Sequence, residues 1–281
     1  MPSERLLPAG FFGIPPFADR EMSFMEKREL SGRIAVVTGA GRRRGIGTAI
    51  CRALADKGAD IFFVWHPHDR RMREEGDDPA ELEEELRSKG VRAEGFAMDL
   101  SSPSAPEAVL DRVEERLRTP SILVNNAAHS TTDGVDGLDA VTLDAHYAVN
   151  VRAAVLLSVG FARRWKGKRG GRIINLTSGQ SLGPMPGEIA YATTKGAIEA
   201  FTSTFAVEVA SRGITVNAVN PGPTDTGWMT EELKRELLSR FPTGRLGQPE
   251  DAARLIAFLA GEEAEWITGQ VIHSEGGFWR R

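Results

Sequence analysis

"RIAVVTGAGRRRGIGTAICRALADKGADIFFVW", residues 33–65, decides the fold of this chain. A β-branched run (33–38) enters a turn carrying Gly39, Gly41, Gly45 and Gly47, a helical pattern follows at 45–57, and a second apolar run closes the unit at 60–65. Gly39 permits a tight turn, Gly45 permits close approach of another group, and Gly47 lets the helix pack on the strand. A helix that starts on such a turn, here at Ile46 and Gly47, offers unpaired N–H groups and a partial positive charge. Those features receive a pyrophosphate. The glycine pattern alone is weak evidence; its place between a strand and a helix gives it meaning.

The same rhythm continues outward. Further apolar, β-branched runs stand at 91–98, 121–126, 171–178, 214–220 and 269–274. Helical patterns occupy 79–89, 104–118, 142–165, 188–212 and 249–260, with a shorter one near 228–240. Near-continuous apolar strands alternating with amphipathic helices predict a parallel sheet covered on both faces. The expectation is an α/β, single-domain, doubly wound (Rossmann) fold with seven parallel strands over residues 31–281. Residues 1–30 mix Pro, Gly and Phe with charges of both signs and lack a secretory signal's pattern. They read as an N-terminal extension, mobile or laid on the surface through Phe11, Phe12 and Phe17.

Composition narrows the function classes. With 41% hydrophobic residues, 26% charged residues and a net charge of -4, the chain is of ordinary globular type. The acidic balance argues against a nucleic-acid partner. No apolar run approaches the ~18 residues of a membrane span, so no membrane is expected. Cys51 is the single cysteine, which excludes an internal disulfide framework and fits a reducing cytoplasm; it reads as a buried filler. His66 and His68 have no matching carboxylate or thiolate set in the sequence, so no metal site is expected.

The chemistry is concentrated in "INLTSGQSLGPMPGEIAYATTKGA" (174–197). Ser178 precedes Tyr191 by thirteen residues, and Lys195 follows Tyr191 by four. Positions i and i+4 share a helix face, which brings phenol and ammonium together, and Ser178 ends a strand at the sheet's carboxyl edge. A phenol ionises near pH 10, and a neighbouring ammonium should lower that value, suiting it to proton transfer. Such a phenol can pass a proton to or from a substrate oxygen, to which Ser178 can also donate. No G-x-S-x-G elbow surrounds Ser178, so it is not a hydrolase nucleophile.

On these motifs the chain resembles the short-chain dehydrogenase/reductase family, closest in look to 3-oxoacyl-acyl-carrier-protein reductases. The resemblance runs from about residue 31 to the end. It implies that Asn150, in "YAVNVRAA", completes a catalytic tetrad with Ser178, Tyr191 and Lys195 and orders a relay water. Tyr191 is implied to be the general acid in reduction and the general base in oxidation. Tyr191 and Lys195 are further implied to contact the cofactor, Lys195 by holding the nicotinamide-ribose hydroxyls. "NNAA" (125–128) resembles the family's Asn-Asn-Ala-Gly, placing Asn126 beside the adenosine pocket, and Asp99 with Leu100 matches the family's adenine contact. "NPGPTDTGW" (220–228) resembles the Pro-Gly motif, with Pro221 and Gly222 shaping the turn and Thr226 touching the cofactor; the segment after it would be a substrate lid.

The glycine turn departs from the family's T-G-x-x-x-G-x-G by two extra residues. Trp65 stands where NAD-preferring members carry an Asp, and Arg44 stands where NADP-preferring members carry a basic residue. NADP(H) is therefore favoured, with NAD(H) possible; Arg42 and Arg43 read as either phosphate ligands or solvated loop residues. The resemblance implies a homotetramer, through helices 142–165 and 188–212, acting on a small-molecule carbonyl or alcohol. The substrate stays open: 3-oxoacyl thioesters are the best specific reading, while relatives of similar sequence reduce sugars, steroids and xenobiotics. A cofactor-sensing regulator without turnover is the rival class, and the intact tetrad argues against it.

Overall fold

The computed structural model describes residues 28–280. Phe11, Phe12 and Phe17 of the extension lie outside the described residues. Arg28 to Leu30 already belong to the packed domain. Arg28 donates to the Lys89 carbonyl (2.7 Å), and Leu30 is fully buried.

Seven parallel strands form one sheet: β1 (Ile34–Thr38), β2 (Asp60–Trp65), β3 (Ala93–Ala97), β4 (Ile122–Asn125), β5 (Gly171–Leu176), β6 (Ile214–Asn220) and β7 (Val271–His273). Their order is β3-β2-β1-β4-β5-β6-β7, with Val36 opposite Phe62 and Leu123 opposite Ile173 in register. The expected doubly wound sheet is present.

The helices are α1 (Ile46–Asp56), α2 (Arg70–Glu75), α3 (Pro79–Ser88), α4 (Ala105–Arg116), α5 (Ala140–Tyr147), α6 (Ala154–Arg164), α7 (Ile189–Val209), α8 (Glu231–Leu238) and α9 (Pro249–Ala260). Strand alternation divides the core into two layers. Val37, Phe63 and Val124 pack with α1 and α9 on one face, and Val36, Phe62 and Leu123 pack with α4 and α6 on the other. Each such side chain contributes about 1.5–3 kcal/mol of burial free energy, which explains why both faces of every central strand read as apolar.

Two helical features differ from the sequence reading. α2 was not expected: only Met72 is buried in it, so it shows no apolar stripe, and its ends are set by Asp69 capping the N–H groups of Arg71 and Met72 and by left-handed Gly76 (φ 70°). The single helix expected at 142–165 is continuous from 140 to 164 but passes through a π-helical turn, Ala148–Ala153. Among the described residues this run alone is long and apolar enough to cross a membrane (mean hydropathy 1.2), yet 56% of that window is buried inside the protein.

The order of β1 and β4 reverses the direction of winding, which opens a crevice at the carboxyl edge between them. Cys51 is fully buried in α1, and burial pushes its thiol pKa up.

Candidate active site

The crevice begins with the glycine turn. Gly39 has φ +70°, and a Cβ there would collide with the Ala127 backbone. A Cβ at Gly47 would collide with the Gly39 carbonyl, so the helix approaches the strand as closely as the sequence pattern requires. Gly45 is the N-cap of α1 and supplies no side-chain cap. The N-terminus of α1, starting at Ile46, therefore carries donors without a side-chain acceptor, which fits an incoming diphosphate. Across the crevice Asn126 ties β4 to β1: its Nδ2 donates to the carbonyls of Thr38 (2.8 Å) and Gly39 (2.9 Å). Neighbouring Asn125 donates to Asn175 (2.8 Å) and Ser158 (3.0 Å), joining β4, β5 and α6.

The three arginines separate. The two extra residues form a hydrogen-bonded turn from the Gly45 N–H to the Arg42 carbonyl (2.9 Å). Arg43 turns outward to Asp77 and Glu81, tying the turn to the start of α3. Arg42 donates to Thr226 (3.4 Å), and Arg44 stands 3.7 Å from Asp225 with 60% of its side chain exposed. Trp65 ends β2 half-buried, and Gly41 (φ +132°) packs against its Cβ. Asp99 lies 3.7 Å from His66; burial works against its charge, but hydrogen bonds from Ser101 outweigh it and hold the carboxyl below its usual range. Leu100 beside it is buried, and Pro221 and Gly222 form the turn after β6, with Gly222 at φ +64°.

The chemical groups sit at the ends of β5 and α7. α7 turns Ala190, Thr194, Lys195, Ile198 and Thr202 to the core, a spacing that buries one face and carries Lys195 inward. Lys195 is 3% exposed; its Nζ donates to the Leu176 carbonyl (2.8 Å) and lies 5.5 Å from the Tyr191 ring centre. Ser178 is half-buried after β5; its Oγ lies 4.0 Å from Met185 Sδ, and its hydroxyl pulls the Tyr191 phenol toward lower pKa.

The acidities overturn one expectation. Tyr191 is not lowered by its ammonium neighbour; burial, reinforced by Glu188, pushes the phenol up to about 12 against the pull of Ser178. Burial also pushes Lys195 down to about 8. Both charged forms have lost water, and desolvation is the leading cause of each shift.

Asn150 lies in the π-helical turn and is buried. Its Oδ1 accepts from the His129 N–H (2.7 Å), and its Nδ2 donates to the His129 carbonyl (2.9 Å) and to Thr194 Oγ1 (3.0 Å). Both amide hydrogens are thus used, leaving one Oδ1 lone pair free. Thr194 donates in turn to the Tyr191 carbonyl (2.8 Å), so it links Asn150 to the catalytic helix. Sequence reading passed over Thr194, and it passed over Asp133, whose carboxylate accepts from the Ile189 and Ala190 N–H groups (2.6 and 2.9 Å). That contact caps α7 just before Tyr191. No local signal marks it, because the cap comes from a distant loop.

Comparison with known proteins agrees with this geometry. The sequence model of the enoyl-(acyl carrier protein) reductase family matches residues 39–279. An uncharacterized oxidoreductase of Bacillus subtilis is 55% identical over 250 residues, covering 88% of this chain and 97% of the relative. An NADPH-dependent aldehyde reductase-like protein of Arabidopsis thaliana is 37% identical, covering 89% and 95%. A 3-oxoacyl-[acyl-carrier-protein] reductase of Pseudomonas aeruginosa is also 37% identical, covering 89% and 98%. Among solved structures, a short chain dehydrogenase from Burkholderia cenocepacia in complex with NADP superposes with a TM-score of 0.80 at 34% identity, covering 89% and 98%.

Proposed function

The chain belongs to the short-chain dehydrogenase/reductase family, and on that premise we propose that it works as an NADP(H)-dependent carbonyl reductase. It interconverts a carbonyl and a secondary alcohol, with 3-oxoacyl thioesters as the first substrate class. The meeting of Ser178, Tyr191 and Lys195 at the carboxyl edge of the sheet carries this reading. When bound, the nicotinamide cofactor supplies two electrons and a hydrogen to the carbonyl carbon. Ser178 donates to the substrate oxygen and Tyr191 delivers its proton there. A phenol at about 12 stays protonated throughout neutral pH, the form that reduction needs. Lys195 has two N–H groups beyond the one held by Leu176, and these bind the ribose hydroxyls. Asn150 keeps one Oδ1 lone pair for a relay water.

NADPH oxidation with a panel of 3-oxoacyl thioesters, aldehydes, ketosugars and ketosteroids tests the reading. Turnover of the thioester is expected. A chain that binds NADPH but turns over none of these carbonyl compounds acts as a cofactor sensor instead. Aldehydes form the second substrate class, favoured by the Arabidopsis relative's description.

The arginine turn supports the choice of NADP(H). Trp65 offers no acceptor to the ribose hydroxyls, whereas Arg44 is exposed and carries a charge that a 2′-phosphate can share with it. Charge-assisted hydrogen bonds contribute roughly 1.5–3 kcal/mol, about tenfold to a hundredfold in affinity. Arg44→Ala is therefore expected to raise the KM for NADPH by that factor and leave the KM for NADH nearly unchanged. Equal losses would place Arg44 on the diphosphate or in the turn alone, and a wild-type preference for NADH would overturn the assignment.

A homotetramer in a reducing cytoplasm completes the reading. α5, α6 and α7 expose Val141 (76%), Tyr147, Leu156 and Val207 (80%), more apolar surface than the intramolecular core uses. Phe201 and Phe205 stack at 4.9 Å on the same helix and are only partly covered. Sedimentation at micromolar concentration should give four chains; a monomer would remove this part of the proposal.

A further inference from the structure

The chain's last described residues return to the crevice. Arg280 forms a two-pronged ion pair with Glu275 (2.5 and 2.7 Å) and lies against the loop that leaves Ser178. Gly179 and Gly183 make the seat: a Cβ on Gly179 would collide with the guanidinium, and one on Gly183 would sit 3.1 Å from Arg280 Cδ. Glu275 is held in turn by Asn220 Nδ2 (2.8 Å) at the end of β6, and its Cβ packs against Gly222. The guanidinium also lies 5.1 Å from the centre of the Phe278 ring. Phe278 packs with its ring tilted against Phe241 (centres 4.9 Å apart), and the Trp279 backbone N–H donates to the Arg240 carbonyl (2.9 Å), both just beyond α8. Three parts of the crevice thus converge on one side chain: the Ser178 loop, the Pro221–Gly222 turn and the foot of the lid.

We propose that Arg280 is a positioning residue for Ser178, a latch that holds the 179–183 loop against the β6 corner and the lid. Its charge is already met by Glu275, so it recruits no anionic substrate. Its effect is geometric. A hydroxyl that must point at a developing oxyanion tolerates little displacement, and residue 179 is the next one along the backbone. The catalytic arm of this proposal rests on the carbonyl-reductase reading; the loop-holding arm does not.

Arg280→Ala is expected to lower kcat/KM for the carbonyl substrate at least tenfold while the Kd for NADPH changes less than twofold. Amide hydrogen exchange over 178–188 should accelerate at least tenfold, with β1, α1 and β4 unchanged. Arg280→Lys should recover part of the loss, and guanidinium ion added to Arg280→Ala should recover part as well. Gly179→Ala, which pushes the guanidinium from its seat, should reproduce the phenotype, and the double variant should be no worse than either single one. Unchanged exchange at 178–188 would overturn the latch. So would equal losses in cofactor affinity, activity and thermal stability, the mark of a merely structural tail. If the wild type reduces no carbonyl compound, the reductase reading falls and the exchange measurement still decides on the latch.

Discussion

Tyr191→Phe should lower kcat by at least a thousandfold and leave the Kd for NADPH within about twofold, a barrier increase of roughly 4 kcal/mol. The substitution removes one hydroxyl and keeps the ring that packs beside Lys195. On the proposed reading cofactor affinity draws chiefly on the α1 N-terminus and on Lys195, so it should change little. Chemistry does: the developing alkoxide would find no acid within reach except Ser178, a much weaker one. General acid catalysis contributes about 10²–10⁴ in rate, and the phenol's hydrogen bond to the developing charge adds to that. Single-turnover kinetics after NADPH loading would isolate the step. A variant retaining more than a tenth of wild-type kcat, a loss of only ~1.4 kcal/mol, would falsify the acid assignment.

The residues of this step were legible because they obey local geometry. A helix period places Lys195 beside Tyr191, and a strand end places Ser178 at the sheet edge, so spacing alone predicts their encounter. The sheet was legible for a similar reason: strands buried on both faces must be apolar throughout, and their alternation with helices leaves few topologies.

What was not legible depends on distant parts of the chain. Asp133 caps α7 from 56 residues away, and a loop carboxylate carries no mark of which helix it will meet. The π-helical turn around Asn150 is a slip in hydrogen bonding inside an uninterrupted helical pattern, which leaves the residue periodicity nearly intact. α2 escaped because one buried methionine makes no stripe. The three arginines share one short word of sequence yet go to different partners, because the inserted turn rotates them apart. The direction of the Tyr191 shift failed for a related reason. Sequence shows that an ammonium is near; only the fold shows that both groups are buried.

That burial makes Lys195→Met the second large effect, with opposite signs in two measurements. On the proposed reading catalysis and cofactor binding should both collapse, since the ammonium assigned to the ribose hydroxyls also stands beside the phenol. Stability should rise. Lys195 titrates at about 8 in the fold against an ordinary 10.5, so between those values the unfolded chain binds a proton that the folded chain does not. Stability from this group is therefore complete above pH 10.5, declines as pH falls toward 8, and below that carries a full penalty of about 3 kcal/mol. Methionine fills a similar volume without charge and escapes the penalty, while losing the hydrogen bond to Leu176, worth about 1 kcal/mol. The net expectation at pH 7 is roughly 2 kcal/mol of added stability, or about 4–8 °C in Tm measured without cofactor. The advantage should shrink as pH rises from 8 and turn into a deficit of about 1 kcal/mol above 10.5, where only the lost hydrogen bond remains. A Lys195→Met chain that is less stable than wild type at pH 7, or whose advantage grows with pH, would mean that the ammonium is solvated or paired in the fold and that its burial does not set its acidity.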